Sequence, residues 1–290
     1  MASVPGKIFL LGEYAVLQGG PAWVAALGPR FSGSVEVAKE WGVPFDAASP
    51  AGRYVADLRS SGADPLRFYF QDPHRGRGGF GASTAQFALA YGGVESLAGR
   101  KISAAGCWKR YRELTAVAGG VAPSGADLVA QLAGGIQRVV QGRSEDLGKK
   151  LLSLWWVAFS AVDIPGRKMA THAHLAHLPA KNFDALSGCV REAEMSLAEG
   201  DIGALGGSLT RYARLLSDLG LELQAAREDR EVLSRVRGVL GYKGCGAMLA
   251  DAAVALVTDE RAAAKLIEAA EARGLRVVAN GLASERGWIA

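Results

Sequence analysis

The chain has 290 residues, of which 49% are hydrophobic and 21% charged, and 33 Lys and Arg against 29 Asp and Glu give a net charge of +4. This composition is that of a folded globular protein and excludes a disordered or low-complexity chain. The length predicts two domains, and the weak, dispersed positive charge provides no basic stripe for nucleic acid.

The cysteines and the N-terminal segment bear on the cellular compartment in which the protein is expected. Cys107, Cys189 and Cys245 show neither metal-binding nor redox spacing, so we expect free thiols in a reducing environment. No apolar run approaches about 18 residues, and the charged Lys7 and Glu13 stand where a signal peptide would be apolar. The sequence therefore predicts a soluble, unprocessed, cytoplasmic protein with no membrane partner.

Apolar periodicity and turn residues predict the elements in chain order. The N-terminal part is rich in strands, the middle in helices, and the last part alternates strand, helix and strand. The predicted elements are strands at 8–11, 22–27 and 31–37 with turns at 19–21 and 28–29, a glycine-dense loop and helix at 74–91, a turn and helix at 122–139, a strand at 151–165, helices within 166–237, and a strand, a helix at 260–273 and a strand to the end.

The glycine-dense loop is the first candidate site. Gly78, Gly79 and Gly81 permit backbone conformations closed to other residues, and Ser83 and Thr84 stand where a helix begins. A helix N-terminus with free amides attracts anions, so a nucleotide phosphate would fit here. A flexible turn with a serine cap is the alternative. The loop has neither the Lys of a Walker loop nor the context of a dinucleotide fingerprint.

Asp127 is the second candidate. With Ser124 as a helix cap, the carboxylate falls in the first turn of a helix, where the dipole stabilises it whatever its function. A catalytic role and simple helix stabilisation are therefore both open from this segment alone.

Three segments, taken together, resemble the three motifs of the GHMP kinases in the family's order. They are PGKIFLLGEYAVLQGGPA (5–22), GGFGASTA (78–85) and KGCGAMLADAAVALV (243–257), and PSGADLVAQLAGG (123–135) lies between the last two. The resemblance spans nearly the whole chain. It implies an α+β, two-domain GHMP kinase fold. An N-terminal β-rich, ribosomal-protein-like domain over 1–150 and a C-terminal ferredoxin-like domain over 151–290 would enclose the active cleft.

The resemblance also implies an ATP-dependent small-molecule kinase that uses Mg²⁺. Lys7 would stand at the mouth of the cleft and Asp127 would orient the acceptor hydroxyl, with Lys7 beside it to keep it ionised. Ser83 would meet Mg²⁺. The residues expected to bind ATP are Gly78, Gly79, Gly81, Ala82, Ser83 and Thr84, and those expected on the acceptor side are Glu13, Tyr14, Ser124, Gly125, Lys243, Gly246 and Ala247. Bracing of the turn is the alternative for Glu13.

Within the family the likeness is to phosphomevalonate kinase, through Tyr14 in the first motif, Asp251 at the end of the third, and Ala170 and Thr171. The expected reaction is phosphomevalonate to diphosphomevalonate in a monomer or homodimer. Mevalonate kinase or another small-molecule kinase is the alternative. Ala82 replaces one of the family's paired serines, for which Thr84 could compensate. In the third motif, replacement of three glycines by Met248, Leu249 and Ala250 predicts a stiffer loop.

Two other functions remain open. A catalytically silent relative would bind ligands without turnover, and an RNA-associated protein would show strongly salt-dependent affinity. His172, His174 and His177 do not predict a metal site, because on a helix only His174 and His177 are neighbours. Packing is the interpretation favoured for one of Trp155 and Trp156 and for Cys245. Arg75 and Arg77 flank the glycine loop and could meet phosphate or solvent.

Overall fold

The structure is a computed structural model that describes residues 1–76, 78–116, 122–167 and 183–290. Its strands are β1 (Ala2–Leu11), β2 (Ala22–Val37), β3 (Leu66–Gln71), β4 (Ile136–Val140), β5 (Arg143–Asp146), β6 (Trp155–Ser160), β7 (Val239–Cys245), β8 (Ala252–Val257) and β9 (Arg276–Asn280). Its α-helices are α1 (Pro50–Ser60), α2 (Ala82–Leu97), α3 (Ala104–Thr115), α4 (Ala126–Ala133), α5 (Gly148–Leu151), α6 (Asp184–Glu199), α7 (Ile202–Asp218), α8 (Gln224–Leu233) and α9 (Glu260–Glu271).

The first sheet is antiparallel and is built around the long strand β2. Its order is β1-β2-β4-β5, and β3 pairs with the second half of β2. The sequence predicted a turn at Gly28-Pro29, and this prediction is wrong. Leu27 pairs with Gly6 and Phe31 with Val4, so residues 28–30 form a bulge and β2 continues. A bulge tolerates the missing amide of proline and bends the strand without ending it.

The second sheet is also antiparallel, with the order β7-β8-β6-β9. In chain order its elements are a strand, helices, two strands, a helix and a strand, which is the ferredoxin-like arrangement. All the strands of the first sheet lie before residue 150 and all those of the second lie after it. Residues 282–290 return to the first sheet, where Ile289 forms a bridge with Ser3.

One apolar core continues from the first sheet to the second. Ile8 and Trp23 of the first sheet belong to the same buried cluster as Trp156 and Tyr212. A second cluster, containing Phe159, fills the space between the second sheet and α9. No helix in the described ranges is long and apolar enough to cross a membrane.

The paired tryptophans confirm the predicted alternation. Trp156 is fully buried and donates its indole N–H to the Leu151 carbonyl at 3.2 Å, whereas Trp155 is 38% exposed. The strand is shorter than predicted from residues 151–165, because the preceding residues form the short helix α5.

Candidate functional site

A cleft of about 520 Å³ opens where α2 and α4 begin, beside β1 and the turn after β7. The cleft collects the predicted site residues from four separate stretches of the chain. It is lined by Lys7, Glu13, Tyr14, Gly78, Gly79, Gly81, Ala82, Ser83, Thr84, Ser124, Gly125, Asp127, Gly246 and Ala247, together with others that include Phe9, Asp72, Tyr111 and Asp251. Lys243 does not line it.

The glycine loop needs its glycines for two reasons. Gly79 and Gly81 have φ of +85° and +82°, which side chains rarely adopt. A Cβ at Gly81 would lie 2.9 Å from Lys7 Cγ and 3.0 Å from Gln131 Nε2. Gly81 is also the N-cap of α2, and none of the side chains that the structure describes caps that helix. The amides of its first turn are therefore open to an anion in the cleft.

The start of the loop is held by residues that the sequence analysis missed. Asp72 accepts hydrogen bonds from the amides of His74 at 2.8 Å and Gly76 at 2.7 Å. The buried His74 ring stacks on Phe80, with centroids 4.7 Å apart, and its Nε2 lies 3.1 Å from the Pro29 carbonyl. The Asp-x-His spacing, typical of an Asx turn, was the available signal.

Thr84 and Gln131 join the two helices that carry the loop and Asp127. The buried Thr84 hydroxyl donates to Gln131 Oε1 at 2.7 Å and lies 3.4 Å from Asp127 Oδ2. Gln131 Nε2 donates to the Pro5 carbonyl at 2.9 Å and to the Gly81 carbonyl at 3.2 Å. Thr84 thus serves as a bridge between helices, whereas Ser83 is exposed at the cleft.

Lys7 is a buried cation that faces the cleft from β1. It is 7% exposed, its amide donates to the Phe80 carbonyl at 3.0 Å, and its ammonium lies 4.8 Å from the centroid of the Phe9 ring. Such a cation–π contact offsets part of the cost of removing the charge from water. Lys7 and Asp127 line the same cleft, but no ion pair joins them among the described residues.

Glu13 and Lys243 form a buried ion pair between the end of β1 and β7. Lys243 Nζ donates to Glu13 Oε1, and at 2.9 Å to the Gly244 carbonyl. Burial disfavours the ammonium, but the neighbouring Cys245 and Glu13 more than offset this and raise the pKa of Lys243 above its ordinary value. Glu13 Oε2 has no hydrogen-bond partner in the described part of the chain. Lys243 therefore contacts the cleft only through Glu13.

The turn after β7 lies against the glycine loop. A Cβ atom added at Gly246 would lie 2.6 Å from Oδ2 of Asp251, and one added at Gly78 would lie 3.0 Å from Cγ of the same residue. Met248 and Leu249 both have φ of +54°, so the turn keeps a backbone suited to glycine although it carries large side chains. The sequence analysis singled out Asp251 for its place in the motif, not for this contact.

Tyr14 and Cys245 connect this turn to the first sheet. The Tyr14 hydroxyl accepts the Met248 amide hydrogen at 3.0 Å. Burial raises the pKa of Tyr14 to about 12, although the bond from Met248 acts against it. The Cys245 thiol donates to the Phe9 carbonyl at 3.1 Å, and burial raises its pKa to about 12. Burial and a raised pKa are typical of a cysteine that packs in the core.

The oxygen donors of the cleft fit a magnesium ion carried by a nucleotide. The Ser83 hydroxyl and the carboxyl groups of Asp127 and Asp251 line the same space. Among the residues described, no three His, Cys, Asp or Glu side chains are grouped so as to hold a metal by themselves. Mg²⁺ needs no such group, because it commonly binds one or two protein oxygens, substrate phosphates and waters.

Several predicted features lie outside the described residues: Arg77, Ala170, Thr171, His172, His174 and His177. Arg75 is exposed and is not among the residues of the cleft wall.

Comparison with known proteins agrees with this geometry. No protein-family model matches the chain. A mevalonate kinase from Aeropyrum pernix is 28% identical, and the match covers 85% of each chain. The solved mevalonate kinase of Methanococcus jannaschii superposes with a TM-score of 0.74 at 14% identity, covering 98% of both chains.

A second solved structure, phosphomevalonate kinase of Streptococcus pneumoniae in complex with phosphomevalonate and AMPPNP, gives a TM-score of 0.77 at 14% identity. That match covers 98% of this chain and 100% of the other. The solved structures show that the chain has the two-domain fold of these small-molecule kinases. The three segments that resemble the GHMP kinase motifs lie in order on that fold, and the chain is similar to these kinases over most of its length.

Proposed function

We propose that this protein transfers the γ-phosphoryl group of ATP to a small hydroxy acid of the mevalonate pathway. The observation that carries the proposal is the meeting of the open N-terminus of α2, Lys7 and Asp127 in one cleft. Phosphoryl transfer requires mainly positioning and charge neutralisation, and these groups supply both. The phosphomevalonate kinase of similar fold holds an ATP analogue, which supports ATP as the donor.

Each group has a proposed role. The amides of the glycine loop and of the first turn of α2 bind the phosphates. Lys7 neutralises charge on the transferred group, and Asp127 orients or deprotonates the acceptor hydroxyl. Because no ion pair engages Lys7 or Asp127 in the described part of the chain, we infer that both are available to the reactants. Ser83 would hold Mg²⁺, which when bound neutralises phosphate charge; the Thr84 hydroxyl is engaged by Gln131.

Phosphomevalonate is the acceptor that the sequence predicts. Tyr14 and Asp251 support it, and both line the cleft. The acceptor side would comprise Glu13, Tyr14, Ser124, Gly125, Gly246 and Ala247, with Lys243 acting through Glu13.

Mevalonate is the second candidate, and two observations favour it. The curated relative with 28% identity is a mevalonate kinase. Among the described residues that line the cleft, Lys7 is the one cationic side chain, whereas Glu13, Asp72, Asp127 and Asp251 are acidic. An acceptor with both a carboxylate and a phosphate calls for more cations than one with a carboxylate alone.

The decisive experiment is an acceptor panel in which ADP release is followed with Mg-ATP. Mevalonate, phosphomevalonate, homoserine, galactose and shikimate are compared at equal concentration, with the Asp127→Asn variant as the blank. Turnover with mevalonate or phosphomevalonate alone supports the proposal and identifies the acceptor. Turnover only with another acceptor, or ATP binding without any turnover, contradicts it, and the latter result indicates a silent relative.

A cytoplasmic location and a monomeric or homodimeric state also stay predictions.

A further inference from the structure

Residues 282–290, which we term the return segment, leave the second sheet and lie against the back of the first domain. The Gly281 amide donates to the Trp156 carbonyl at 2.7 Å, and the segment ends in a two-way bridge between Ser3 and Ile289, with N···O distances of 2.7 and 3.0 Å. The segment thus connects the two sheets through residues that do not line the cleft.

Arg30 of β2 clamps this segment in place. Its guanidinium donates to the carbonyls of Arg286 and Gly287, both at 2.5 Å, and to the Ser3 carbonyl at 3.0 Å. Glu285 adds a carboxylate oxygen at 3.7 Å. A guanidinium that binds several backbone carbonyls fixes the path of a segment, not merely its charge environment.

Trp288 contacts both helices that carry the cleft residues, α2 through its ring and α4 through its backbone amide. Its ring fills a notch at Gly92 of α2, where an added Cβ would lie 2.3 Å from Trp288 Cη2. Its amide donates to the Leu132 carbonyl, in the last turn of α4, at 3.2 Å. The neighbouring Glu285 carbonyl accepts the Gly135 amide hydrogen just beyond that helix at 2.8 Å.

The same two helices meet a second time at the cleft, through Thr84 and Gln131. α2 and α4 also pack directly on each other and on β1, so the contact at Trp288 adds a restraint to the one that this packing provides. Gly92 lies nine residues beyond Ser83, or about 14 Å along the axis, so a tilt of about 5° would move Ser83 by about 1 Å. A misplacement of about 1 Å can reduce the rate of a positioned reaction by up to about 100-fold.

We propose that Trp288 is a positioning residue for phosphoryl transfer, which fixes the spacing between the glycine loop and Asp127 from the back of the molecule. The inference rests on the proposed function for its kinetic test. Its structural content, a coupling of the return segment to α2 and α4, can be tested without activity.

The kinetic test compares Trp288→Ala, Trp288→Phe and the control Trp41→Ala. Trp41 is also half-buried, but its ring contacts Arg59 of α1, whose Cζ lies 5.0 Å from the centroid of the Trp41 ring. We expect Trp288→Ala to lower kcat about 10-fold with the KM for ATP within about 3-fold, because the binding groups remain and only their alignment is lost. Trp288→Phe should restore most of kcat, and Trp41→Ala should lower the melting temperature without this loss of kcat.

Gly92→Ala approaches the same contact from the other side. It should lower kcat in the native chain. Its further effect in a Trp288→Ala background should be smaller, since the close contact of the added Cβ with Trp288 is then absent and only the one with Ile102 remains. Equal losses of kcat in Trp288→Ala and Trp41→Ala, or a lower melting temperature with unchanged kcat, would overturn the positioning role.

Hydrogen exchange provides the readout that needs no turnover. In Trp288→Ala, the amides of residues 85–97 and 129–134 should exchange faster than in Trp41→Ala, while those of the second sheet should not change. If the native chain shows no turnover, the proposed function fails while this comparison still decides the coupling. Unchanged exchange in α2 and α4 would overturn the inference whatever the activity.

Discussion

Two charged residues in the first motif have different environments, and these separate their roles. Lys7 points to the cleft with an aromatic ring as its neighbour, whereas Glu13 is held by Lys243. The first is placed to meet a reactant. The second is placed mainly to connect the two sheets, with one carboxylate oxygen that has no hydrogen-bond partner among the described residues.

Asp127 gives the sharpest prediction for a single residue. Asp127→Asn keeps the shape of the side chain and removes its charge, so kcat should fall about 100-fold or more at similar ATP affinity. Lys7→Met should act similarly. The control is Asp184→Asn, because Asp184 is also an acid in the first turn of a helix but does not line the cleft. Steady-state kinetics of the three variants are compared, and activity near native in Asp127→Asn would remove that residue from the chemistry.

Residue types and spacing allowed most of the cleft wall to be predicted, but not the position of Lys243. Its motif suggested a role in binding the acceptor. The direction of its side chain depends on the pairing of β7 with β8 and on the approach of β1, which sequence spacing does not encode. The joining role of Gln131 was also not predicted, because it depends on a contact with Thr84, 47 positions away along the chain.

The buried pair gives a prediction for stability. Lys243→Met should destabilise the fold by about 3–5 kcal/mol, because it leaves the Glu13 carboxylate buried without its partner. The double variant with Glu13→Gln should be less destabilised than the single one, since no uncompensated charge remains. Urea unfolding of both variants measures this. A double variant as unstable as the sum of the two single variants would show that the ion pair is not coupled.

At the scale of elements, the proposed role of the glycine loop in binding phosphate is tested by measuring the binding of Mg-ATP. Gly81→Ala should abolish the rise in melting temperature that Mg-ATP produces, because the new Cβ meets Lys7 and distorts the start of α2. Gly62→Ala is the matched control. Its φ is +77° and nothing lies within 4 Å of the added Cβ, so it shares the backbone strain without the clash. Loss of the ATP-induced shift in both variants would refute the local explanation.

The turn after β7 gives a prediction for alkaline pH. The pKa of Tyr14 is raised from 10.0 to about 12, so between these values the unfolded chain loses this proton while the folded chain keeps it. The contribution of Tyr14 to the free energy of unfolding is therefore fully present below pH 10 and is lost as the pH rises to about 12. The difference reaches about 2–3 kcal/mol. The free energy of unfolding of native protein and of Tyr14→Phe is measured across this pH range, and it should fall less steeply with pH in the variant. Parallel declines would contradict the contribution assigned to Tyr14.

The helix predicted at 260–273 lies close to the observed bounds of α9, whereas α2 continues to Leu97, past the predicted end at residue 91. The interpretation of Gly28-Pro29 as a turn was wrong because a bulge and a turn use the same residues, and only the partner strand distinguishes them. The same reasoning applies to the third motif. Its substituted glycines predicted stiffness, while the left-handed backbone of Met248 and Leu249 emerged only from the fold.

At the scale of the whole molecule, the cleft exists because the two sheets are joined beneath it. Glu13 binds Lys243, the Tyr212 hydroxyl donates to the Glu13 carbonyl at 2.5 Å, and Cys245 donates to Phe9. The return segment joins the sheets again through residues that do not line the cleft. Two domains were predictable from length and motif order, but these cross-connections were not, because each links residues more than 190 positions apart.

The measurement that tests the central claim most directly is phosphorus NMR of native protein with Mg-ATP and either mevalonate or phosphomevalonate. ADP should appear together with a new phosphorus signal from the acceptor in equal amounts, and Asp127→Asn should slow both about 100-fold or more. ADP with free phosphate and no acceptor signal, or no change in the ATP signals with either acceptor, would contradict the assignment of phosphoryl transfer within the mevalonate pathway.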